Sequence, residues 1–177
     1  MAAPGVTFQL LDGRQAAAHE EELAALHADV GEPVDGDGLA RRFGVWRRQP
    51  GFALAGAWNG GYLVGYACGM PLRPSTSWWK ELTTPLPADV TAEHPGRTFA
   101  LTALAVRAPW RRQGIGWSLY DLVMSERAEE RATLTVAPRN TAAQHAFRSW
   151  GWQKIARTRG QDPDTPVLDV LMITLRP

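Results

Sequence analysis

The run Arg111-Arg112-Gln113-Gly114-Ile115-Gly116 has the residue types of an anion cradle. It follows an apolar stretch, Phe99 to Val106, and precedes an amphipathic one that begins at Trp117. That order reads as strand, short turn and helix. Backbone N–H groups in such a turn converge with the unpaired N–H groups of the helix's first turn, where the helix dipole adds positive potential. Glycine opens dihedrals closed to other residues and lets a ligand approach the backbone, while the arginines add charge and planar donor forks. A pyrophosphate suits this chemistry. A dinucleotide fingerprint needs a third glycine where Leu119 stands, and a P-loop needs Gly-x-x-x-x-Gly-Lys-Ser/Thr, which is absent. Taken alone, the turn leaves the owner of the pyrophosphate open, a generic nucleotide-binding fold included.

The elements that must position this turn follow from periodicity and breakers. Val6 to Leu11 reads as a strand closed by Asp12-Gly13, and residues 16–30 as a helix with Glu20, Glu21 and Glu22 early and Leu23, Leu26 and Val30 at helical spacing. A loop from Gly31 to Gly38 leads to a second helix, Leu39 to Arg48, that stops before Pro50. Phe52 to Trp58, Asn59-Gly60-Gly61 and Tyr62 to Met70 form a hairpin pattern. Residues 71–97 carry Pro71, Pro74, Pro85 and Pro87 and no clear element beyond a helical turn near Ser77 to Leu82; a connection of that length is functional or flexible. A strand at 98–107, a helix at 114–130, a strand from Ala132 to Ala137 and a helix at 141–150 follow. Two strands close the chain, Trp152 to Thr158 and Val167 to Leu175, around a turn at Gly160 to Asp164. The order β-α-α-β-β-β-α-β-α-β-β predicts one mixed α/β domain over residues 1–177.

Composition narrows the function classes. With 177 residues, 45% hydrophobic and 21% charged, the chain is globular, and a net charge of +1 gives no case for nucleic acid. No apolar run reaches membrane-spanning length, and no secretory signal is visible at the start, so the expectation is a cytoplasmic protein. The single cysteine, Cys68, excludes an intrachain disulfide and a multi-cysteine metal site, and no metal is expected. Its place in an apolar strand predicts a buried, inert thiol.

A second motif, Asn140, Ala143, Phe147, Gly151 and Trp152, changes the weight of the first. Together the two segments resemble the GNAT superfamily of acetyl-CoA-dependent N-acetyltransferases. Arg111, Gly114 and Gly116 match its Gln/Arg-x-x-Gly-x-Gly/Ala turn, and the later residues match Asn-x-x-Ala-x-x-x-Tyr/Phe-x-x-x-Gly-Phe/Trp. The hairpin with Gly60 and Val64-Gly65-Tyr66 is also similar, and the likeness extends over roughly residues 6–175. The resemblance implies a mostly antiparallel sheet flanked by helices, with acetyl-CoA in a V-shaped opening between the strands at 98–107 and 132–137. Pantetheine amides would pair with the backbone of Leu104 to Val106, Ala105 included, as an added strand does. The pyrophosphate would take N–H groups between Arg111 and Gly116, through Arg112, Gln113, Gly114 and Ile115, next to Trp117. Asn140, Ala143 and Phe147 would line the cofactor arm. Asn140 also stands where an ordinary helix N-cap would.

The implied reaction is acetyl transfer to a primary amine of a small molecule or peptide by direct attack in a ternary complex. It needs a neutral amine, a polarised thioester carbonyl and a thiolate that can leave. A backbone N–H near Leu104 or Val106 serves the second need. For the third, many relatives use a tyrosine where this chain has Phe147, which has no proton to give. Tyr120, His145 or water are the substitutes, although Tyr120 shares a helical face with Trp117 and Met124, as a core residue would, and His145 does not share a face with Phe147. Where relatives often place a strand glutamate as base, the strand offers Thr102, whose hydroxyl could equally satisfy a backbone carbonyl. Glu81, Glu93 and His94, in or beside the long connection, are further candidates. Asp29, Glu32, Asp35 and Asp37 would draw a cationic amine or simply cap and solvate a loop. Trp78-Trp79 would stack on an acceptor or anchor the connection. Phe147 and the missing strand carboxylate keep a second class in play, a non-catalytic acetyl-CoA-binding regulatory domain. Many relatives form homodimers, and nothing in this sequence identifies an interface.

Overall fold

A computed structural model describes residues 3–30, 38–159 and 166–176. Its strands are β1 (Val6–Asp12), β2 (Ala53–Asn59), β3 (Tyr62–Pro71), β4 (Thr98–Val106), β5 (Arg131–Val136), β6 (Gln153–Thr158) and β7 (Leu168–Thr174). Its helices are α1 (Gly13–Ala16), α2 (Glu20–Asp29), α3 (Gly38–Trp46), α4 (Ala88–Thr91), α5 (Ile115–Met124) and α6 (Thr141–Ser149). The seven strands form one sheet in the order β1-β2-β3-β4-β5-β7-β6, mostly antiparallel, with β4 and β5 parallel. This is the mixed α/β architecture that the element order predicts. By contacts the chain forms two compact units, residues 1–70 with 101–127 and residues 71–100 with 128–177, so β4 contributes to both.

In the first unit the hairpin arises where Asn59-Gly60-Gly61 predicts it. Gly60 and Gly61 take φ of 55° and 82°, the left-handed pair that a two-residue turn between twisted strands requires. β1 runs antiparallel to β2 from Val6 opposite Asn59 to Asp12 opposite Ala53. One core forms from Leu23 and Leu26 of α2, Phe43 of α3, and Leu54, Tyr66 and Cys68 of the strands. The helix expected at 16–30 is broken. A capping box at Asp12, whose side chain accepts from Arg14 N and Gln15 N, starts α1 at Gly13, and a 3-10 turn at Ala17–His19 separates it from α2. α5 buries Ile115, Leu119, Tyr120, Val123 and Met124, a stripe at helical spacing.

The second unit centres on β5, β7 and β6, with Thr98–Ala100 of β4 pairing to Arg131–Thr133. Residues 71–97, which carry no clear element in the sequence pattern, contain α4 and are tied to their own unit. Leu72 and Trp79 pack with Ala100 and Val170. Leu82 bridges to Thr158, and Thr83 N donates to Arg157 O at 2.9 Å. The helix expected to reach 130 ends at Met124. Glu130 N is engaged by Gly96 O at 3.1 Å and Arg131 N by Arg97 O at 3.0 Å, so strand pairing overrides the helix propensity of the Glu/Arg/Ala stretch. Among the described residues no helix is long and apolar enough to cross a membrane.

Candidate functional site

The arginine–glycine turn is built on a fixed end of β4. Arg107 is 5% exposed. Its N–H donates to Val64 O at 2.8 Å and its Nε to Leu63 O at 2.8 Å. Its guanidinium pairs with Asp29 and lies 4.5 Å from the centre of the Tyr62 ring. A 3-10 turn, Ala108–Trp110, follows with Pro109 in its first positions, and Trp110 packs against Tyr62. The chain then alternates hands. Arg111 is extended, Arg112 takes φ 61° and Gly114 takes φ 79° at the N-cap of α5. A non-glycine residue at positive φ is uncommon and costs energy unless its surroundings hold it there.

This backbone leaves donors unspent. Among the described residues, the N–H groups of Gln113, Gly114, Ile115 and Gly116 find no acceptor in the protein, and Gly114 supplies no side-chain cap. They are the orphan donors of a helix N-terminus preceded by a nest-like turn. Arg111 Nε donates to Val106 O at 2.8 Å, and Gln113 Nε2 to Pro109 O at 3.1 Å, which fixes both side chains to the turn. Neither Arg111 nor Arg112 pairs with a carboxylate among the described residues, so their positive charge is not locally cancelled. A Cβ on Gly116 would meet only Val106 Cγ2, at 3.9 Å, so the space above this helix turn is open. Gly65 differs: a Cβ there would lie 3.0 Å from Leu119 Cδ1 and 3.1 Å from Ala105 O. Chemically, the turn can accept a polyanion through backbone N–H groups without rearranging the chain.

Beside the turn, the pairs of β4 with β5 cover Thr98–Ala100, and the residues from Thr102 to Val106 are half-buried, Leu104 and Ala105 among them. Trp117 is 47% exposed and packs at a tilt against Tyr120, which is 7% exposed. Tyr120 is therefore a packed residue of α5. Thr102 Oγ1 donates to Cys68 O at 3.2 Å, satisfying a backbone carbonyl. Burial pushes the Cys68 thiol up to about 12, against a smaller opposing effect of Thr102. Such a thiol is protonated and inert near neutrality.

In the second unit Asn140 caps α6, its side-chain oxygen accepting from Ala143 N at 3.1 Å. Phe147 is 6% exposed and meets Trp150 and Trp152 edge-on at 5.4 and 5.8 Å, as a core aromatic does. Ala143 is half-buried on the same stripe, while His145 is exposed and lines a separate cavity. Glu81 is exposed, and its carbonyl takes Thr158 Oγ1 and Arg159 N. Glu93 Oε1 accepts from Trp79 Nε1, Thr98 Oγ1 and Arg131 Nη2 at 2.9–3.0 Å, a buried ion pair that anchors Trp79. His94 lies at the surface, 3.6 Å from Glu130. Asp29 is held by Arg107, and Glu32, Asp35 and Asp37 lie outside the described residues.

Two features escaped sequence reasoning. One is the Arg107 clasp, for which the only local signal is an arginine closing an apolar strand. The other is the buried Tyr66 phenol, 2.9 Å from His27 Nδ1 across 39 positions.

A model of the acetyltransferase (GNAT) family matches residues 16–152. Comparison with curated protein sequences finds no match. Among solved structures the fold is similar to that of Ard1 from Thermoplasma volcanium, at 14% identity and TM-score 0.69 over 98% of this chain and 99% of that one. It is also similar to the ribosomal-protein-S18-alanine N-acetyltransferase from Escherichia coli (14%, TM-score 0.66, 97% and 95%). A third is Arabidopsis thaliana Naa50 in complex with the bisubstrate analogue CoA-Ac-MVNAL (15%, TM-score 0.64, 97% and 99%).

Proposed function

Since the chain belongs to the GNAT acetyltransferase family, we propose that it moves an acetyl group from acetyl-CoA to a primary amine of a small molecule or peptide, by direct attack in a ternary complex. The observation that carries this reading is the set of unspent N–H donors from Gln113 to Gly116, flanked by the unpaired charges of Arg111 and Arg112. A pyrophosphate supplies the acceptors these donors lack, and the open space above Gly116 gives it room. Leu104, Ala105 and Val106 lead into the turn on a half-buried strand segment whose backbone would pair with the pantetheine amides. A backbone N–H in the same segment would polarise the thioester carbonyl as negative charge develops on its oxygen. The acceptor class is supported on the peptide side by the Arabidopsis structure, which holds an analogue joining CoA to a peptide. Asn140 and Phe147 keep the capping and core roles described above, and the proposal does not depend on them. The cytoplasm is the proposed site of action, in keeping with a single, buried Cys68.

Calorimetric titration with acetyl-CoA, run on the wild type and on Gly116→Arg, tests the donor site. We expect saturable binding that the arginine variant loses while its unfolding temperature holds. Absence of wild-type binding, or equal binding by both proteins, overturns the assignment. A second reading, a non-catalytic acetyl-CoA-binding regulatory domain, is favoured by Phe147, buried between Trp150 and Trp152 where many relatives carry a hydroxyl. A thiol-release screen over polyamines, amino acids, aminoglycosides and peptide N-termini separates the two, because only an enzyme frees CoA above background.

A further inference from the structure

A cavity of about 470 Å³ opens in the second unit, between the outer face of α6 and the strands β6 and β7. Its volume falls in the range of about 300–1,000 Å³ typical of small-molecule sites. From α6 it receives Thr141, Gln144, His145 and Arg148, one row at helical spacing; from the strands come Lys154, Arg157 and Asp169. Pro138, Trp152 and Leu171 supply an apolar floor.

The charge in this cavity is one-sided. Three cations, Arg148, Lys154 and Arg157, face a single carboxylate, and that carboxylate is already saturated. Asp169 Oδ1 takes Lys154 Nζ at 2.9 Å and Arg157 Nε at 3.1 Å, and Oδ2 takes Gln144 Nε2 at 2.9 Å. Asp169 is 6% exposed, so it acts as a buried strut that holds Lys154 and Arg157 together. What remains is donor capacity. Among the described residues, the Arg148 guanidinium has no polar partner, and neither do the terminal nitrogens of Arg157 or the ring of His145. Guanidinium forks match the tetrahedral oxygens of phosphate, and an excess of two positive charges matches a phosphate monoester, which carries about −1.5 to −2 at neutral pH.

We propose that this cavity binds a small phosphate monoester, its phosphate held by Arg148, Arg157 and Lys154 and its organic part lying on Pro138, Trp152 and Leu171. The site is made only of second-unit residues and uses none of the turn from Arg111 to Gly116, so it is independent of the acetyl-donor assignment. The cavity is larger than a bare phosphate fills, and the apolar floor favours an ester over the inorganic ion.

The test is calorimetric titration of the full chain with glucose 6-phosphate and, separately, with inorganic phosphate, in low-salt buffer with and without saturating CoA. Saturable binding of the ester that persists with CoA present supports the proposal. So does a Kd raised tenfold or more in Arg148→Ala and in Arg157→Ala. The Arg148 side chain is exposed and makes no hydrogen bond or ion pair among the described residues, so its variant is expected to fold as the wild type does, and CoA affinity in it should be unchanged. The proposal is overturned if the ester does not bind, if inorganic phosphate binds in its place, if CoA displaces the ester, or if both variants bind as tightly as the wild type.

Discussion

Replacing Arg107 with methionine keeps the side chain's length and apolar stem and removes its charge and donors. Three interactions go with them, and the structure sizes each. The Nε bond to Leu63 O is buried and charge-assisted, and such bonds contribute about 1.5–3 kcal/mol. The guanidinium 4.5 Å from the Tyr62 ring centre adds about 0.5–1 kcal/mol. The ion pair adds at most about 1 kcal/mol, because the Asp29 side chain is 60% exposed and well screened. We therefore expect Arg107→Met to cost about 3 kcal/mol, dominated by the carbonyl bond, and Asp29→Asn to cost less than about 1 kcal/mol. Urea unfolding measures both, with an unchanged m-value required for the comparison. The same variant should weaken acetyl-CoA binding, since Arg107 fixes the strand end from which the turn departs. If Asp29→Asn proves as costly as Arg107→Met, the ion pair and not the carbonyl bond holds the strand end. If Arg107→Met costs under about 1 kcal/mol, the reasoning fails altogether.

Gly116→Ala should leave unfolding stability unchanged or raise it by up to about 1 kcal/mol, because alanine favours the helix and its Cβ meets only Val106 at 3.9 Å. Its acetyl-CoA affinity should fall, and less than in Gly116→Arg; unimpaired affinity in both would place the ligand elsewhere. Cys68 should resist thiol reagents at pH 8 in the folded chain and react fully once unfolded, as rate measurements with and without urea will show. Because its thiol is raised to about 12 from the ordinary 9.0, the unfolded chain loses its proton first. Stability should therefore fall as pH climbs from about 9 towards 12, and Cys68→Ala should flatten that slope. Asp169 shows the opposite sign. Burial opposes its ionisation, but Lys154, Arg157 and Gln144 outweigh burial and hold its pKa below the ordinary 3.8. The stability it contributes is present above that ordinary value and is lost as pH drops below it. Asp169→Asn should cost stability at pH 7 and unfold with a shallower acid dependence.

Local chemistry was readable from the sequence wherever the deciding residues are neighbours. Asn59-Gly60-Gly61 specifies a turn by its own dihedrals, and the apolar runs on either side supply the strands. Asn140 caps α6 three residues ahead of Ala143, and the run from Arg111 to Gly116 makes its own concavity. The starts and ends of helices were harder. Asp12 and Gln15 set the start of α1 through a reciprocal cap that hydrophobic spacing does not reveal, and β5 pairing ends α5 at Met124 against local propensity. Side-chain partnerships were the least legible. Asp29 reads as a free loop carboxylate until Arg107, 78 positions away, takes it. Glu93 reads as a candidate base until Arg131, Thr98 and Trp79 enclose it. Both outcomes depend on which strands become neighbours, and no spacing within either segment carries that information.

Gly65 sits where Leu119 of α5 and the carbonyl of Ala105 close to within about 3 Å of any added carbon. Position 65 is thus a shim seat against α5 and the end of β4. An alanine there would act as a small wedge, requiring Leu119 and the Ala105 carbonyl to give by a few tenths of an ångström. On the function proposed above, such a change would reach affinity for the acetyl donor through Leu119 and the end of β4.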